Sequence, residues 1–582
     1  MRVHATRVKM VFYVFFAFAI YVAVRFYIVQ VHDGPKLAAR AYHQRLSELD
    51  FPAHRGAIFD RYGVALARSL PSQSIYATTS DVDNVDRTAA AIARVLHGVP
   101  AADIAGSLHS PNAYVEVVHK ITFDEATAVG KLKLPGISVV AETTGVRFVP
   151  SGTLAASVIG FTGFDDNGLE GAESAFDDVL RGSPGKMVLE TDRYYGSALP
   201  FEQPRVVVAA KAGHSIALTI DSYMQYNVQR VLLDTVKRWH AESGCAIVMD
   251  PSTGEILALA SAPDYDVREY GHYSPDVRRD RCVTDVYEPG STFKLITAAA
   301  AIDSGKVTPQ DRFPSRDQMQ IGGATIHNAE DGFIASSAGS ETLEDIIAYS
   351  HNVGAAEVGL RIGRQTMYDE IERFGFDEPT NVGLPGENAG LVPRLADWSD
   401  TSLPTMSFGH GIAVTPLALA RAYAAIANGG ILMRPRILSA IIDSDGREIY
   451  RYGPEIERRV MSPETAATLR RFLRAVVVRG TGNPTAQVPG YTTAGKTGTA
   501  QVVENGVYAP GEYVASFVGF VPAESARYVI LVKISKPRGA IYGSVIAAPA
   551  FAEIAKMAMM RAGILPAGPR LVRLGTSSKR SL

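Results

Sequence analysis

Glu288-Pro289-Gly290-Ser291-Thr292-Phe293-Lys294 opens the stretch from which both the fold and the chemistry of this chain are read. From Ser291 to Ser304, Phe293, Leu295, Ile296, Ala298 to Ala301 and Ile302 leave no polar stripe, the pattern of a buried helix. Gly305 stands where a left-handed C-terminal cap is expected, and Pro289 and Gly290 mark the other end. Ser291 and Lys294 then leave the first turn three residues apart, on one face. An apolar interior disfavours an ammonium, so a buried Lys294 can be uncharged near neutral pH and take the proton of Ser291. The helix N-terminus adds partial positive charge and free N–H groups, which favour an oxyanion. A capping serine followed by a surface lysine is the competing reading of the same four residues. The same spacing recurs at Ser183-Pro184-Gly185-Lys186, where Pro184 and Gly185 oppose a helix and no amine is buried.

Two later stretches decide between these readings. Ser350-His351-Asn352 follows the amphipathic segment Thr342 to Tyr349, giving a second hydroxyl and a carboxamide at a helix end. Lys496-Thr497-Gly498-Thr499 lies in the strand-like run Tyr491 to Val503, whose small central residues let another backbone approach closely. Ser110-Pro111-Asn112 also has the serine-x-asparagine form, so the order carries the signal rather than any one motif. Serine-x-x-lysine opening a helix, then serine-x-asparagine, then lysine-threonine-glycine on a strand resembles the signature set of penicillin-binding proteins and serine β-lactamases.

With 582 residues, 47% of them hydrophobic, the chain is globular and too long for one ordinary domain. A formal charge of −2, without a basic stripe interleaved with aromatics, argues against a nucleic-acid partner. Cys245 and Cys282 make no disulfide framework; an oxidising compartment would allow them to pair, but they read rather as two buried free thiols. No cysteine–histidine cluster has metal spacing, and Gly182-Ser183-Pro184-Gly185-Lys186 lacks the length and the hydroxyl residue of a phosphate loop, so no metal or cofactor is expected.

At the start, Arg2, His4, Arg7 and Lys9 precede an uncharged run from Met10 to Val24 that continues beyond Arg25 to Val31. As a helix this run crosses a bilayer core, with Arg25 near the far interface; the basic residues before it place the N-terminus in the cytoplasm. Ala39-Arg40-Ala41 has the form of a cleavage site, but charged residues separate it from the apolar run, so an uncleaved anchor in the inner (cytoplasmic) membrane is expected. His54 to Gly63 reads as a strand entering a turn, with Val64 to Ala67 returning. Asp86 to Leu96 reads as a helix capped by Asp86, and Ala172 to Val179 as a short helix between Gly168-Leu169-Glu170-Gly171 and Leu180-Arg181-Gly182. Later, Cys245 to Met249 and Glu255 to Ala260 form a hairpin; Ala515 to Val521 and Tyr528 to Ile534 join the Lys496 strand, with Asn505-Gly506 as a hairpin turn; Ala547 to Arg561 is a final helix. The expected class is α+β, an antiparallel sheet covered by helices. The expected organisation is a cytoplasmic N-terminus (1–9), a transmembrane helix (10–31), an elongated α/β pedestal (32–205), a catalytic domain (206–563) and a tail (564–582).

The anchor, the His54 to Gly63 stretch, Gly168-Leu169-Glu170-Gly171, the three motifs, Ser407-Phe408-Gly409-His410-Gly411 and Val414-Thr415-Pro416 together resemble class B penicillin-binding proteins over almost the whole chain. Phe408 to Pro416 and Ala420-Arg421-Ala422-Tyr423 look more like the division-type enzyme than the elongation-type one. The resemblance implies a pedestal of the dimerisation type, a penicillin-binding, β-lactamase-like catalytic domain, and peptidoglycan D,D-transpeptidation through a serine acyl-enzyme that β-lactams also form. Ser291 would be the nucleophile and Lys294 the base. Ser350 would relay the proton and Asn352 orient Lys294 and the substrate amide. Lys496, Thr497 and Thr499 would receive the substrate carboxylate, with Gly498 between them, and the Ser291 and Thr499 N–H groups would form the oxyanion hole. His410 is given a structural role. The implied partners are stem peptides, β-lactams, a separate SEDS-type membrane glycosyltransferase and other division proteins. The alternatives are a hydrolase of the same superfamily (a D,D-carboxypeptidase, β-lactamase or β-lactam sensor) and a non-catalytic wall or division scaffold. The large anchored pedestal disfavours the first, and the paired Ser291 and Lys294 disfavour the second.

Overall fold

A computed structural model describes residues 2–51, 53–96, 98–141, 145–163, 165–190, 205–328, 339–504 and 506–566. Asn505 of the expected hairpin turn, and most of the expected tail, lie outside them. The chain forms two compact units, each assembled from more than one segment. One unit comprises Met1–His54, Pro71–Val146 and Gly182–Gly213; the other comprises Arg55–Leu70, Arg147–Arg181 and His214–Leu582.

The first unit begins with the helix Arg2–Tyr27, continued by a π-helical turn Ile28–His32. The apolar span Ala5–His32 is long enough to cross a membrane, and none of it is buried against the chain. Its larger sheet strands, Tyr114–Thr122, Ser72–Thr78 and Ile137–Ala141, pair antiparallel in that order. Ile75, Ala77, Val117 and Ile121 on these strands pack with Ile92, Ile104 and Val129 from the helices Val85–Ala93, Ala101–Leu108 and Phe123–Lys131. The first of these helices is capped by Asn84, whose side chain accepts from the Arg87 N–H, and not by Asp86 as expected. Asn84 is the last extended residue, whereas Asp86 already lies in the first turn, where its charge faces the helix dipole.

The second unit is built on a five-stranded antiparallel sheet in the order Ile256–Ala262, Ser243–Met249, Tyr528–Ser535, Val507–Val521, Ala494–Glu504. Alternation sends Ala246, Val248, Phe517, Val532 and Ile534 to one face, where they pack with Met224, Val228 and Leu232 of the helix Ser222–Arg238 and Ile546, Phe551 and Ile554 of Gly543–Arg561. That last helix starts earlier than its apolar run suggests and is more than half buried, a core element. Ile247, Val518 and Leu531 pack on the other face with the helices that follow Pro289.

The early segments Arg55–Leu70 and Arg147–Arg181 complete this unit. Ile58–Phe59 pairs in parallel with Ser215–Leu218 and antiparallel with Ala65–Leu70, so the strand expected from His54 is only two residues long. Arg55 is buried and donates to Glu173 at 2.7 Å and Asp177 at 2.6 Å, while Arg147 donates to the other Glu173 oxygen at 2.6 Å. The helix expected at Ala172–Val179 is two short pieces, Gly171–Ala175 and Asp177–Leu180, broken at Phe176, with Glu173 on the first and Asp177 on the second both reaching Arg55. Cys245 and Cys282 are buried and unbridged.

Candidate active site

The turn that presents Ser291 is tighter than an α-helix. Gly290–Phe293 is 3₁₀ and the α-helix proper is Lys294–Asp303, a correction to the single helix expected from Ser291 to Ser304. In a 3₁₀ turn residues i and i+3 eclipse, so the change stacks Ser291 and Lys294 more directly than an α-turn does. Gly290, which opens the turn, has φ +54 and lies against Gly409. A Cβ on Gly409 would stand 2.2 Å from the Gly290 carbonyl oxygen. The helix ends as read, with Gly305 at φ +70.

Lys294 is fully buried, and its amine reaches the Ser350 carbonyl at 2.5 Å, the Asn352 Oδ1 at 2.8 Å and the Ser350 Oγ at 3.2 Å. Burial, followed by the charge of Lys496, holds its pKa well below the ordinary lysine value; the Glu341 carboxylate pulls the other way. The Ser291 hydroxyl is half-buried and makes no hydrogen bond to the described residues.

Ser350 owes its position to backbone conformation. The helix Leu343–Tyr349 is closed at its start by a capping box between Thr342 and Asp345, and ends on Ser350 in the left-handed region at φ +64. That single residue turns both its carbonyl and its hydroxyl toward Lys294. The next helix, Asn352–Ile362, begins with its first two N–H groups donating to Asn328 Oδ1 at 2.7 and 3.0 Å. Asn352 is thereby fixed, its Nδ2 donating to the His327 carbonyl at 2.9 Å while Oδ1 serves Lys294.

Lys496, Thr497, Gly498 and Thr499 lie on the sheet's last strand, Ala494–Glu504. The buried Lys496 amine donates to Ser350 Oγ at 2.9 Å, and burial pushes its pKa down to about 7. Thr497 shares a hydrogen bond of 2.8 Å with Thr481, and Thr499 Oγ1 accepts from the Gly543 N–H at 3.2 Å. Gly498 is where the strand meets the turn: a Cβ there would stand 2.3 Å from Ser516 Oγ and 2.9 Å from the Thr292 methyl. Gly498→Ala is therefore expected to cost about 1–3 kcal/mol by overpacking and to displace the turn carrying Ser291. Thermal unfolding and penicillin labelling would read the two effects.

The pattern reading missed several neighbours. Thr481, Asn328 and Glu341 come from segments without a recognisable motif. Glu288 accepts from the Gly411 N–H at 2.8 Å and from the Tyr508 hydroxyl at 3.2 Å. His410 packs between Phe408 and Tyr508, and burial, with the charge of Lys294, lowers its pKa to about 4, so it is uncharged near neutrality. Beside Glu288 opens a cleft of about 900 Å³ that also takes in Arg279, Arg281, Asp285, Lys533 and Gln501. Ser291 does not line it. No group of residues suited to a metal ion occurs among the described residues.

The chain is similar to known proteins over most of its length. Residues 244–556 match the family described as penicillin binding protein transpeptidase domain, and residues 50–218 the penicillin-binding protein dimerisation domain. The chain is 32% identical to stage V sporulation protein D of Bacillus subtilis, across 96% of this chain and 86% of that one. It is 33% identical to peptidoglycan D,D-transpeptidase FtsI of Escherichia coli K12, across 86% and 82%. Among solved structures, penicillin binding protein 3 of Mycobacterium tuberculosis complexed with aztreonam superposes with a TM-score of 0.68 at 30% identity, over 90% of this chain and 99% of that one.

Proposed function

The chain belongs to the penicillin-binding proteins, and from that premise we propose that it is a membrane-anchored peptidoglycan D,D-transpeptidase, of the division type, in which Ser291 carries the acyl group. Its ligands are stem peptides and β-lactams. The observation that carries the reading is the position of Ser350 Oγ, 3.2 Å from the Lys294 amine and 2.9 Å from that of Lys496, which joins the three motifs at one atom.

The steps follow from the charges. Lys294, uncharged, takes the proton of Ser291 as its oxygen attacks the carbonyl carbon of the penultimate D-alanine. A neutral amine has two N–H groups and one lone pair; the short contacts to the Ser350 carbonyl and Asn352 use the former and leave the latter for the proton. The Ser291 and Thr499 N–H groups receive the developing oxyanion. When the carbon–nitrogen bond breaks, the proton passes through Ser350 Oγ to the departing D-alanine amine, leaving an ester on Ser291. An amine from a second stem attacks that ester, forms the crosslink and returns the serine. Lys496, Thr497 and Thr499 hold the terminal carboxylate of the donor, with Gly498 keeping the strand close, and the cleft beside Glu288 leaves room for the rest of its stem.

The two lysines must differ in charge, and this gives a pH signature. Lys496 binds a carboxylate only as a cation, and its protonated fraction falls as pH rises through about 7. Lys294 must be uncharged, so activity is lost as pH falls through its own depressed value. The second-order rate of penicillin acylation is expected to be bell-shaped, with its alkaline limb near pH 7. A rate that keeps rising above that limb would remove Lys496 from the role of cation.

Purified lipid-linked precursor, supplied with a glycan polymerase, tests the activity. Crosslinked stem dimers with release of D-alanine are expected; release without dimers would instead make the chain a hydrolase. The basic residues before the span support a cytoplasmic N-terminus with the catalytic unit outside the inner membrane. Family resemblance makes a SEDS-type glycosyltransferase and other division proteins its partners, and the unburied span Ala5–His32 leaves apolar surface free for such a contact or for lipid. The likeness to FtsI and penicillin binding protein 3 supports the division role.

A further inference from the structure

Between Ser350 and Asn352 stands His351, a buried residue whose role the acyl-transfer scheme leaves unassigned. Its Nδ1 is hydrogen-bonded to Glu341 Oε2, and a carboxylate can only accept, so the ring nitrogen carries the proton. Glu341 is buried too, on the short strand Ser340–Thr342 immediately before the capping residue Thr342. A Cβ on Gly354 would stand 2.6 Å from Glu341 Oε1, so the helix carrying Asn352 packs directly on this carboxylate. Glu341 is therefore tied to the start of one helix by sequence, to the 350–352 turn by His351, and to the next helix by contact.

We propose that Glu341, acting through His351, is a positioning residue for the Lys294 base. It holds the left-handed turn at Ser350 so that a carbonyl, a hydroxyl and a carboxamide converge on one amine, and it places a negative charge behind them. The inference rests on Lys294 being the base.

The charge has a direction. Lys294 is faced by Lys496 from the sheet, by His410 from the 407–411 loop, and by Glu341 from behind the turn. On the outer side of His351, Tyr349 stacks on its ring and carries Arg479, whose charge is met by Glu344 and Asp345. Of the described carboxylates, Glu341 is the one whose field raises the affinity of Lys294 for a proton. A base buried beside a second lysine is otherwise a weaker acceptor for the serine proton.

The test is the pH dependence of acylation by a fluorescent penicillin, measured on the full-length protein in detergent with thermal unfolding alongside. Glu341→Gln is expected to slow acylation about tenfold at its optimum and to move the acidic limb to lower pH, because the ammonium of Lys294 has lost its counter-charge. Glu341→Asp keeps the charge and is expected to keep the limb near its original place. A limb that stays put in Glu341→Gln, whatever the rate, would overturn the inference while leaving the wild-type chemistry standing. Wild-type protein that forms no serine-dependent adduct would overturn both. If Glu341→Gln does not fold, His351→Ala carries the test: it removes the tether but not the charge, so slower acylation with an unmoved limb is expected, and a wild-type rate would refute the tether.

Discussion

Ser291→Ala is expected to abolish the covalent adduct with a fluorescent penicillin and to reduce crosslinking by about 10⁶-fold, the scale on which serine acyl-enzymes depend on their nucleophile. The substitution should be nearly silent in stability, because the hydroxyl is half-buried and makes no hydrogen bond to the described residues. A retained melting temperature beside a vanished adduct would separate loss of chemistry from loss of fold. A scaffold without chemistry predicts the opposite: no serine-dependent labelling in the wild type, and unchanged wall growth in cells carrying the variant. An adduct that survives in Ser291→Ala would place the nucleophile elsewhere.

Lys294→Met is expected to lower the acylation rate by about 10²–10⁴-fold, the range of a positioned general base, and also to destabilise the unit. Methionine fills a similar volume but leaves the Ser350 carbonyl and Asn352 Oδ1, now 2.5 and 2.8 Å from an amine, without that donor. Such orphaned acceptors cost about 1–3 kcal/mol each. Lys294→Arg discriminates further. Arginine stays protonated and cannot act as a base at neutral pH, so it should rescue neither rate nor pH profile, whereas a residue needed only for positive charge would tolerate the exchange. Substantial activity in Lys294→Arg would transfer the base to another group.

How far the sequence foretells this site depends on the range of the interactions involved. Ser291 and Lys294 are legible because a three-residue spacing on an apolar helix is a local statement. Gly498 is legible in kind, since only a small residue suits a strand that another backbone approaches, but its contact with Thr292 is not. The 3₁₀ turn could not be read, because no local pattern separates it from the first turn of an α-helix, and the glycine packed against it, Gly409, lies more than a hundred residues away. Ser350 in the left-handed region runs against the usual preference for glycine or asparagine there, and no local pattern announces it. Glu341 lies on a three-residue strand, too short for alternation to register. The sheet of the second unit was foreseeable as antiparallel and helix-covered, since its apolar runs and turn residues are strong. Its recruitment of residues 55–70 and 147–181 was not, because a two-residue strand leaves almost no periodic trace.

That recruitment bears on how the protein is made. The Ala57 N–H donates to Ser215 Oγ across 158 residues, and Ile58 pairs with Ile216, so the earliest part of the second unit finds its partners only after most of the first has been synthesised. Until then Ile58, Leu66 and Ala67, all buried at the end, stay solvated on the emerging chain with Arg55 unneutralised. Closing so long a loop is slow compared with local helix formation, and the waiting segment is open to proteases and to mispairing with a sister chain. A catalytic fragment begun at residue 214 would never receive those strands, so recombinant versions should retain residues 55–213 as well as the part that bears the motifs.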